Sequence, residues 1–219
     1  MQGWGTYFHA SGNIYKGYWE NDKKEGQGTF TYTNGEEYDG KWNNDQMTGV
    51  GTYTYLNGDF YVGNLKIGKR EGFGSINFAN GEKYEGFWEA DKMSGKGKYF
   101  YQNGDIYNGE WKKDRRDGDG LITYNNGNIY EGKWKNGKRD GKGIIKNIVN
   151  GYEYSGTWLN GEKNGRGLYI NTDGDQYEGY FKNGNMEGDG IYIFGNGNIY
   201  HGEFSAGKKY GKGSIKYTS

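Results

Sequence analysis

Aromatic residues and glycines recur along this chain with a fixed period, and polar or charged residues separate them. The element Tyr-x-Gly begins nine times, at steps of 23 residues with one step of 24, at Tyr15, Tyr38, Tyr61, Tyr84, Tyr107, Tyr130, Tyr154, Tyr177 and Tyr200. Gly-x-Gly pairs keep the same period from Gly3 to Gly211, and the one extra residue lies between Gly143 and Tyr154. A short strict period of this kind indicates a repeat architecture.

Each repeat has the pattern of a β-hairpin. Gly28 to Tyr32 is an aromatic and β-branched run, Asn34-Gly35 is a turn dipeptide, and Tyr38 to Trp42 is a second run. Asn-Gly favours a type I′ turn, in which both central residues have positive φ. Turn residues follow each Trp position as well, at Asp22, Asp45, Gly68, Asp91, Asp114, Gly137, Gly161, Gly184 and Gly207. The sequence therefore predicts an all-β fold without helices, an elongated single-layer antiparallel meander of repeated hairpins.

The pairing register decides which side chains share a face of this sheet. A two-residue Asn-Gly turn pairs Tyr38 with Thr31 and places Tyr, Gly and Trp of each repeat on one face. Phe30 and Tyr32 are then expected on the opposite face, so that each face carries a row of rings held by contacts between neighbouring repeats. About 19 strands at roughly 4.8 Å spacing predict a rod on the order of 90 Å long. We expect one continuous array over residues 1–219, with a half-repeat 1–14, nine repeats that begin at the tyrosines above, and the last repeat incomplete.

Composition supports a folded chain and narrows its partners. Hydrophobic residues make up only 32% of the 219 residues, but 18% are aromatic, which disordered segments lack. The chain has 28 Lys plus Arg and 28 Asp plus Glu, so it has no net charge that would attract nucleic acid. We therefore expect no nucleic acid among its partners. There is no cysteine, no signal-peptide core and no apolar membrane span. We expect a cytoplasmic protein, peripheral to a membrane or the cytoskeleton.

The repeat resembles the MORN motif (membrane occupation and recognition nexus). The resemblance rests on segments such as Tyr130-Glu131-Gly132-Lys133-Trp134 through Gly141-Lys142-Gly143 and covers Gly3 to Tyr217. Trp is replaced by Leu65, Phe181 and Phe204 in three repeats, which should weaken the row of rings locally. The resemblance implies a scaffold or membrane-associated organiser, similar to the apicomplexan basal-complex MORN scaffold or to a C-terminal fragment of it. MORN repeats are also appended to lipid kinases, a lysine methyltransferase and junctional membrane proteins, so a regulatory module excised from a larger enzyme remains an alternative.

No constellation of catalytic residues is present in the sequence. His9 and His201 are the only histidines and lie far apart in the array, which excludes a triad or a two-histidine metal site within one chain. No Gly-x-Gly pair continues into a phosphate-binding motif. We therefore predict no enzyme activity and no cofactor. A metal site between two copies, formed by His201 with Glu178 and Glu203, is the alternative to a solvated surface.

The Tyr and Trp positions predict an aromatic surface for protein partners, beside the plainer interpretation that these rings mainly pack on each other. The candidate partner-binding residues are Tyr15, Trp19, Tyr38, Trp42, Tyr61, Tyr84, Trp88, Tyr107, Trp111, Tyr130, Trp134, Tyr154, Trp158, Tyr177, Phe181, Tyr200 and Phe204.

Basic residues and the chain ends give two further predictions. Nine Lys or Arg against five acids between Trp111 and Lys142 predict weak binding of acidic phospholipid, with solvated turns as the alternative. The lipid-binding candidates are Lys112, Lys113, Arg115, Arg116, Lys135, Lys138 and Arg139. An uncapped end indicates either a cut array or a homodimer through the C-terminal repeats, with Tyr210, Ile215 and Tyr217 at the dimer edge. The leading hypothesis is a non-enzymatic scaffold that dimerises in this way and binds cytoskeletal or membrane-linked proteins.

Overall fold

The computed structural model describes residues 1–218 and has no helix in them, hence none that could span a membrane. Its strands are β1 (Gly3–Phe8), β2 (Ile14–Glu20), β3 (Lys23–Thr31), β4 (Glu37–Asn43), β5 (Gln46–Thr54), β6 (Phe60–Lys66), β7 (Lys69–Asn77), β8 (Lys83–Glu89), β9 (Lys92–Phe100), β10 (Ile106–Lys112), β11 (Arg115–Thr123), β12 (Asn128–Lys135), β13 (Lys138–Asn147), β14 (Tyr152–Leu159), β15 (Glu162–Ile170), β16 (Gln176–Lys182), β17 (Asn185–Ile193), β18 (Ile199–Ser205) and β19 (Lys208–Lys216). Each strand pairs antiparallel with its neighbour in sequence, so the described residues form one open sheet of 19 strands. The predicted all-β meander is confirmed.

Contacts between residues divide the chain into two compact units. The N-terminal unit contains Met1–Gly104 with Trp111–Asp114. The C-terminal unit contains Asp105–Glu110 and the chain from Arg115 onward.

The Asn-Gly turn is not the predicted type I′ turn. Thr31 pairs with Glu37, Tyr32 N–H donates to Glu36 O at 2.9 Å, and Gly35 N–H donates to Tyr32 O at 3.0 Å. The loop between the paired strands is thus one residue longer than predicted, and of its Asn-Gly pair only Gly35, with φ of 91°, has positive φ. The pattern is that of a type I turn followed by a glycine bulge. Type I′ geometry occurs instead at the second turn, where Asn21 and Asp22 have φ of 49° and 59° and join the paired residues Glu20 and Lys23.

This extra loop residue changes the register by one. Tyr38 pairs with Phe30 rather than Thr31, and Trp42 pairs with Gly26. Because side chains alternate along a strand, a shift of one residue transfers the whole set to the other face. The prediction that Phe30 and Tyr32 lie opposite the Tyr and Trp rings was therefore wrong. All of these rings share one face of the sheet, which we call the aromatic face; the other is the outer face.

A recurring bulge determines which residue of the aromatic face pairs with the Trp position. After the pair Gly17 and Gly28, Tyr18 pairs with Glu25, so that Gly26 and Gln27 bulge out of β3. Gly26 has φ of 62°, a left-handed conformation that glycine adopts without strain. Trp19 consequently pairs with Lys24, and this lysine lies on the aromatic face among the rings.

The core consists of tyrosine rings that lie flat on glycines of the same sheet. Tyr38 is fully buried and its hydroxyl donates to Lys41 O at 2.9 Å, beside the bulge. Its ring lies over Gly51, and the neighbouring Trp42 meets it edge-on at 5.3 Å. The Trp42 indole N–H donates to Gly28 O at 2.8 Å. Rings, glycines and bulges thus link each hairpin to the next, as in other repeat proteins whose stability comes from neighbouring repeats.

Candidate partner-binding surface

The Tyr and Trp residues predicted to contact partners form the core of the sheet. Tyr15, Tyr38, Tyr61, Tyr84, Tyr107, Tyr130, Tyr154 and Tyr177 are fully buried. Trp19, Trp42, Trp88, Trp111, Trp134, Trp158, Phe181, Tyr200 and Phe204 are at most 7% exposed. A ligand on this side of the sheet would therefore contact the side chains that lie over these rings and around them.

A row of half-exposed rings runs along the side of the sheet on which the Asn-Gly loops lie, and we call it the loop-side row. Its members are Tyr32, Tyr55, Phe78 and Tyr101 in the N-terminal unit, and Tyr124, Phe194 and the more exposed Tyr217 in the C-terminal unit. Tyr53 contacts Tyr55 at 4.4 Å between ring centroids, and Tyr99 contacts Tyr101 at 4.5 Å. Sequence reasoning missed this row as a partner surface because the predicted register placed it on the outer face.

A second row follows the type I′ turns, two residues before each Gly-x-Gly pair, and we call it the turn-side row. It consists of Lys24, Met47, Arg70 and Met93 in the N-terminal unit and Arg116, Arg139, Lys163, Met186 and Lys209 in the C-terminal unit. The guanidinium carbon of Arg70 lies 4.0 Å from the Trp88 ring centroid, and that of Arg139 lies 4.1 Å from Trp158. These are cation–π contacts on partly desolvated rings. The signal in the sequence was a period of 23 residues in Lys, Arg and Met.

Carboxylates at the loop edge bind to the next repeat. Glu36, the residue after Asn-Gly, accepts hydrogen bonds from Tyr53 Oη at 3.2 Å and from Leu56 N–H at 3.3 Å. Asp175 in the C-terminal unit accepts from Tyr192 Oη at 2.6 Å and from Gly195 N–H at 2.7 Å. The Tyr192 hydroxyl, followed by the Gly195 N–H, lowers the pKa of Asp175 because both stabilise its charged form.

The second residue of the type I′ turn is an aspartate in the N-terminal unit, except at Gly68, and a glycine in the C-terminal unit. Asp45 Oδ1 accepts from Lys24 N–H at 2.8 Å, and Asp91 Oδ1 accepts from Arg70 N–H at 2.9 Å and pairs with its Nε at 3.3 Å. Asp114 does the same for Met93 N–H at 2.9 Å. The equivalent positions of the C-terminal unit hold Gly137, Gly161, Gly184 and Gly207. Its turn-side cations therefore lack the neighbouring carboxylate that Lys24 and Arg70 have.

The predicted lipid-binding residues are divided between different environments. Arg116 and Arg139 stack on Trp134 and Trp158 of the aromatic face. Their Nη2 atoms donate to Gly137 O at 2.8 Å and to Gly161 O at 2.9 Å. The other five residues, Lys112, Lys113, Arg115, Lys135 and Lys138, are exposed. Two of the seven are thus engaged in the fold, and lipid binding by the rest stays a prediction.

The two histidines lie in different surroundings. His9 packs edge-on against Tyr7 at 4.7 Å. His201 is exposed on the outer face and pairs with Ile191 and Ser214. It lines a cleft of about 270 Å³ with Glu178, Asp189 and Arg166. Within residues 1–218 no group of three His, Asp or Glu side chains could hold a metal ion. The site between two copies, from His201, Glu178 and Glu203, stays a prediction.

The predicted dimer edge is accessible. Tyr210, Ile215 and Tyr217 are 66%, 45% and 71% exposed. In the part of the chain that the structure describes, β19 pairs with β18 alone. Ile215 pairs with Tyr200, so it continues the aromatic face up to this edge.

Comparison with known proteins identifies the repeat. The MORN repeat profile matches residues 15–37, 38–60, 61–83, 84–106, 107–129, 130–146, 154–176, 177–199 and 200–219. A search of curated proteins gives no significant match.

Solved structures similar to this chain include the TCP10 domain of Danio rerio CPAP, with 11% identity, a TM-score of 0.50, and coverage of 90% of this chain and 93% of that one. The same domain in complex with a peptide of Danio rerio STIL has 12% identity and a TM-score of 0.40, with coverage of 90% and 92%. The SAS-4 TCP domain of Drosophila melanogaster with a proline-rich motif of Ana2 has 15% identity and a TM-score of 0.32, with coverage of 98% and 90%. At such identities the likeness concerns the fold.

Proposed function

Because the chain belongs to the MORN repeat family, we propose that it is a non-enzymatic scaffold whose aromatic face binds protein partners. The observation that carries this proposal is the loop-side row. Its rings are half-exposed and regularly spaced, and they lie beside a core of buried Tyr and Trp rings. Exposed rows of rings on a repeat protein are typical of surfaces that bind extended or helical segments.

The turn-side row supports the same surface. Lys24 Nζ lies 4.9 Å from the Phe30 ring centroid and 5.0 Å from Trp42, so its charge is held among rings rather than in free solvent. Aromatic and arginine side chains are the types that contribute most to protein interfaces. Rings along one edge and cations along the other recur with the repeat and give the aromatic face the composition of an interface. Exposed apolar residues of the outer face, such as Phe73 and Phe87, do not recur at the same position in most repeats.

Replacing loop-side rings is expected to abolish partner binding without unfolding the chain. Peptides would be selected from a random library on the immobilised protein, and their affinities measured for the Tyr55→Ser, Tyr101→Ser double variant. We expect a loss of at least about tenfold, because each ring removed forfeits buried contact area. The matched control is Phe73→Ser, Phe87→Ser, a ring pair of the outer face at 5.8 Å that is 56% and 49% exposed. Equal losses in both variants, or a loss in the control alone, would contradict the proposal.

The finer proposal is that the scaffold dimerises through β19. An accessible edge strand with exposed Ile and Tyr side chains is a template for pairing with a second copy. Light scattering is expected to report a dimer for the wild type and a monomer for Ile215→Lys, Tyr217→Lys, since lysines on an edge strand oppose pairing. A monomeric wild type at high concentration would refute this pairing.

We further propose that the scaffold acts at a membrane-linked cytoskeleton, because the MORN scaffolds that its sequence resembles act there. Imaging of the tagged protein in its own cells tests this placement, and a diffuse distribution would speak against it.

A further inference from the structure

The aromatic face of the C-terminal unit contains a cavity at the repeat that carries the extra residue. Its volume is about 520 Å³. The side chains that determine its character are Tyr124, Arg139, Ile145, Tyr152, Trp158 and Lys163. Three aromatic rings, one aliphatic side chain and two cations thus surround one opening.

The two cations of the cavity are held by rings and not by carboxylates. Arg139 stacks on Trp158, and Lys163 Nζ lies 4.3 Å from the Tyr169 centroid and 5.3 Å from Tyr152. Burial, and then the positive charge of Arg139, lowers the pKa of Lys163 to about 8. Lys24 holds the equivalent position in the N-terminal unit, and there the charge of Asp45 opposes the lowering of its pKa. The charge of Lys163 has no such compensation.

The first missing carboxylate belongs to the turn edge. Asp45 and Asp91 accept from the backbone of Lys24 and Arg70 in the N-terminal unit. The residues in the same relation to Arg139 and Lys163 are Gly161 and Gly184, whose N–H groups donate to Arg139 O at 2.8 Å and Lys163 O at 3.0 Å. The backbone contact is thus kept while the acid is absent.

The second missing carboxylate belongs to the loop edge. Asp175 and Glu36 follow Asn-Gly or Asp-Gly in their repeats and accept a tyrosine hydroxyl of the next strand. In the repeat with the extra residue this position holds Tyr152, whose ring meets Tyr169 edge-on at 5.8 Å. In the repeat before it the position holds Asn128, which accepts instead from the Asn147 amide at 3.0 Å. Both kinds of internal acid are therefore absent around the same cavity.

We propose that this cavity binds an acidic side chain of a protein partner, with its carboxylate between Arg139 and Lys163. The inference rests on the proposed function and deepens it by naming the partner's chemistry, an extended segment with Asp or Glu next to an apolar residue. Charge complementarity supports this occupant, because among the residues lining the cavity Glu162 is the one acid and it is exposed. A guanidinium matches the planar carboxylate, and Tyr124, Ile145 and Trp158 offer apolar contact to the neighbouring residue.

The experiment uses a labelled peptide in which glutamate alternates with serine around one central phenylalanine, and its counterpart with glutamine for every glutamate. The wild-type chain is expected to bind the glutamate peptide about tenfold more tightly, the size of a charge-assisted hydrogen bond. Lys163→Met is expected to remove this preference. Methionine occupies the same repeat position at Met47, Met93 and Met186, so the variant is expected to fold. Lys146→Met, at an exposed lysine on the outer face of the same unit, is the control and is expected to leave the preference intact.

A second variant replaces the missing acid instead of removing the cation. Gly184→Asp places a carboxylate where the N-terminal unit has Asp45, at a turn position where Asp45 itself adopts φ of 67°. We expect this internal acid to abolish binding of the glutamate peptide while thermal stability stays equal or rises. Binding that survives both Lys163→Met and Gly184→Asp would overturn the inference.

Three other outcomes also decide the matter. Equal binding of the glutamate and glutamine peptides overturns the acidic site, but the proposed function stands if the library-selected peptides still depend on Tyr55 and Tyr101. Binding of inorganic phosphate without binding of the glutamate peptide assigns the cavity to phosphate and overturns it as well. If none of the library-selected peptides depends on the loop-side row, the proposed function itself is wrong, and this result is separate from the test of the acidic site.

Discussion

Gly51→Ala is expected to destabilise the chain by about 3 kcal/mol, the upper range for overpacking a well-packed site. A Cβ at this position would lie 2.5 Å from Tyr38 Cε2 and 2.7 Å from its Oη. The ring has no room to move, because it is fully buried, donates to Lys41 O at 2.9 Å and meets Trp42 edge-on at 5.3 Å. Thermal unfolding followed by circular dichroism should show the midpoint lowered by roughly 10 °C.

The matched control for this substitution is Gly5→Ala, at the same position of the first half-repeat. Its Cβ would meet only Trp19, at 3.7 Å, which is an ordinary contact distance. The control is expected to leave stability nearly unchanged. A similar loss in both variants would mean that glycine is needed for the backbone rather than for the space under the tyrosine ring.

Raising the pH above 10 is expected to unfold the sheet cooperatively. Burial raises the pKa of Tyr15 and Tyr38 to about 12 in the folded chain, and likewise that of Tyr154 and Tyr177. A phenol of the unfolded chain ionises near pH 10. A tyrosine whose pKa is higher in the folded than in the unfolded chain stabilises the fold fully below about pH 10. This stabilisation is lost as the pH rises toward 12. Many such groups lie in neighbouring repeats, so their effects add over the array.

The measurement is a simultaneous titration of phenolate absorbance and circular dichroism. We expect the absorbance of the buried tyrosines to rise together with the loss of β-sheet signal, as one transition. Protein unfolded in denaturant provides the reference titration near pH 10. Ionisation of all tyrosines at that reference pH, with the sheet signal unchanged, would contradict the burial of the ring core.

The repeat, the hairpins and the positions of both turns could be predicted from the sequence, because glycine and turn residues mark them at every period. The register could not, since it depends on the loop length around Asn34-Gly35. A two-residue and a three-residue loop both accept a glycine with positive φ, and alternation of ring and polar residues fits either register. The bulge at Gly26 could not be predicted either, because the need for space under a tyrosine ring already explained both glycines of the Gly-x-Gly pair.

These two local features also explain what sequence reasoning missed about the surface. The loop length brings Phe30 and Tyr32 onto the face of Tyr38, and the bulge pairs Lys24 with Trp19 of that face. Without them the buried Tyr and Trp rings looked like the partner surface, and Arg139 looked like a solvent-exposed lipid contact. The absence of both internal acids beside Lys163 is visible only when equivalent positions of different repeats are compared in space.

The hydrogen bonds between successive turns also govern how such a chain can change in length. Asp45 N–H donates to Lys24 O at 3.1 Å, and the same bond recurs from Gly68 to Met47 and from Asp91 to Arg70. Each turn therefore meets an equivalent turn, and removal or duplication of one complete period leaves every junction with the partner that it had. The extra residue near Val149 was accommodated in an exposed loop, where 87% of that side chain faces solvent. Duplication or deletion of whole periods in the gene can thus lengthen or shorten this surface, while insertions of other sizes are confined to the loops.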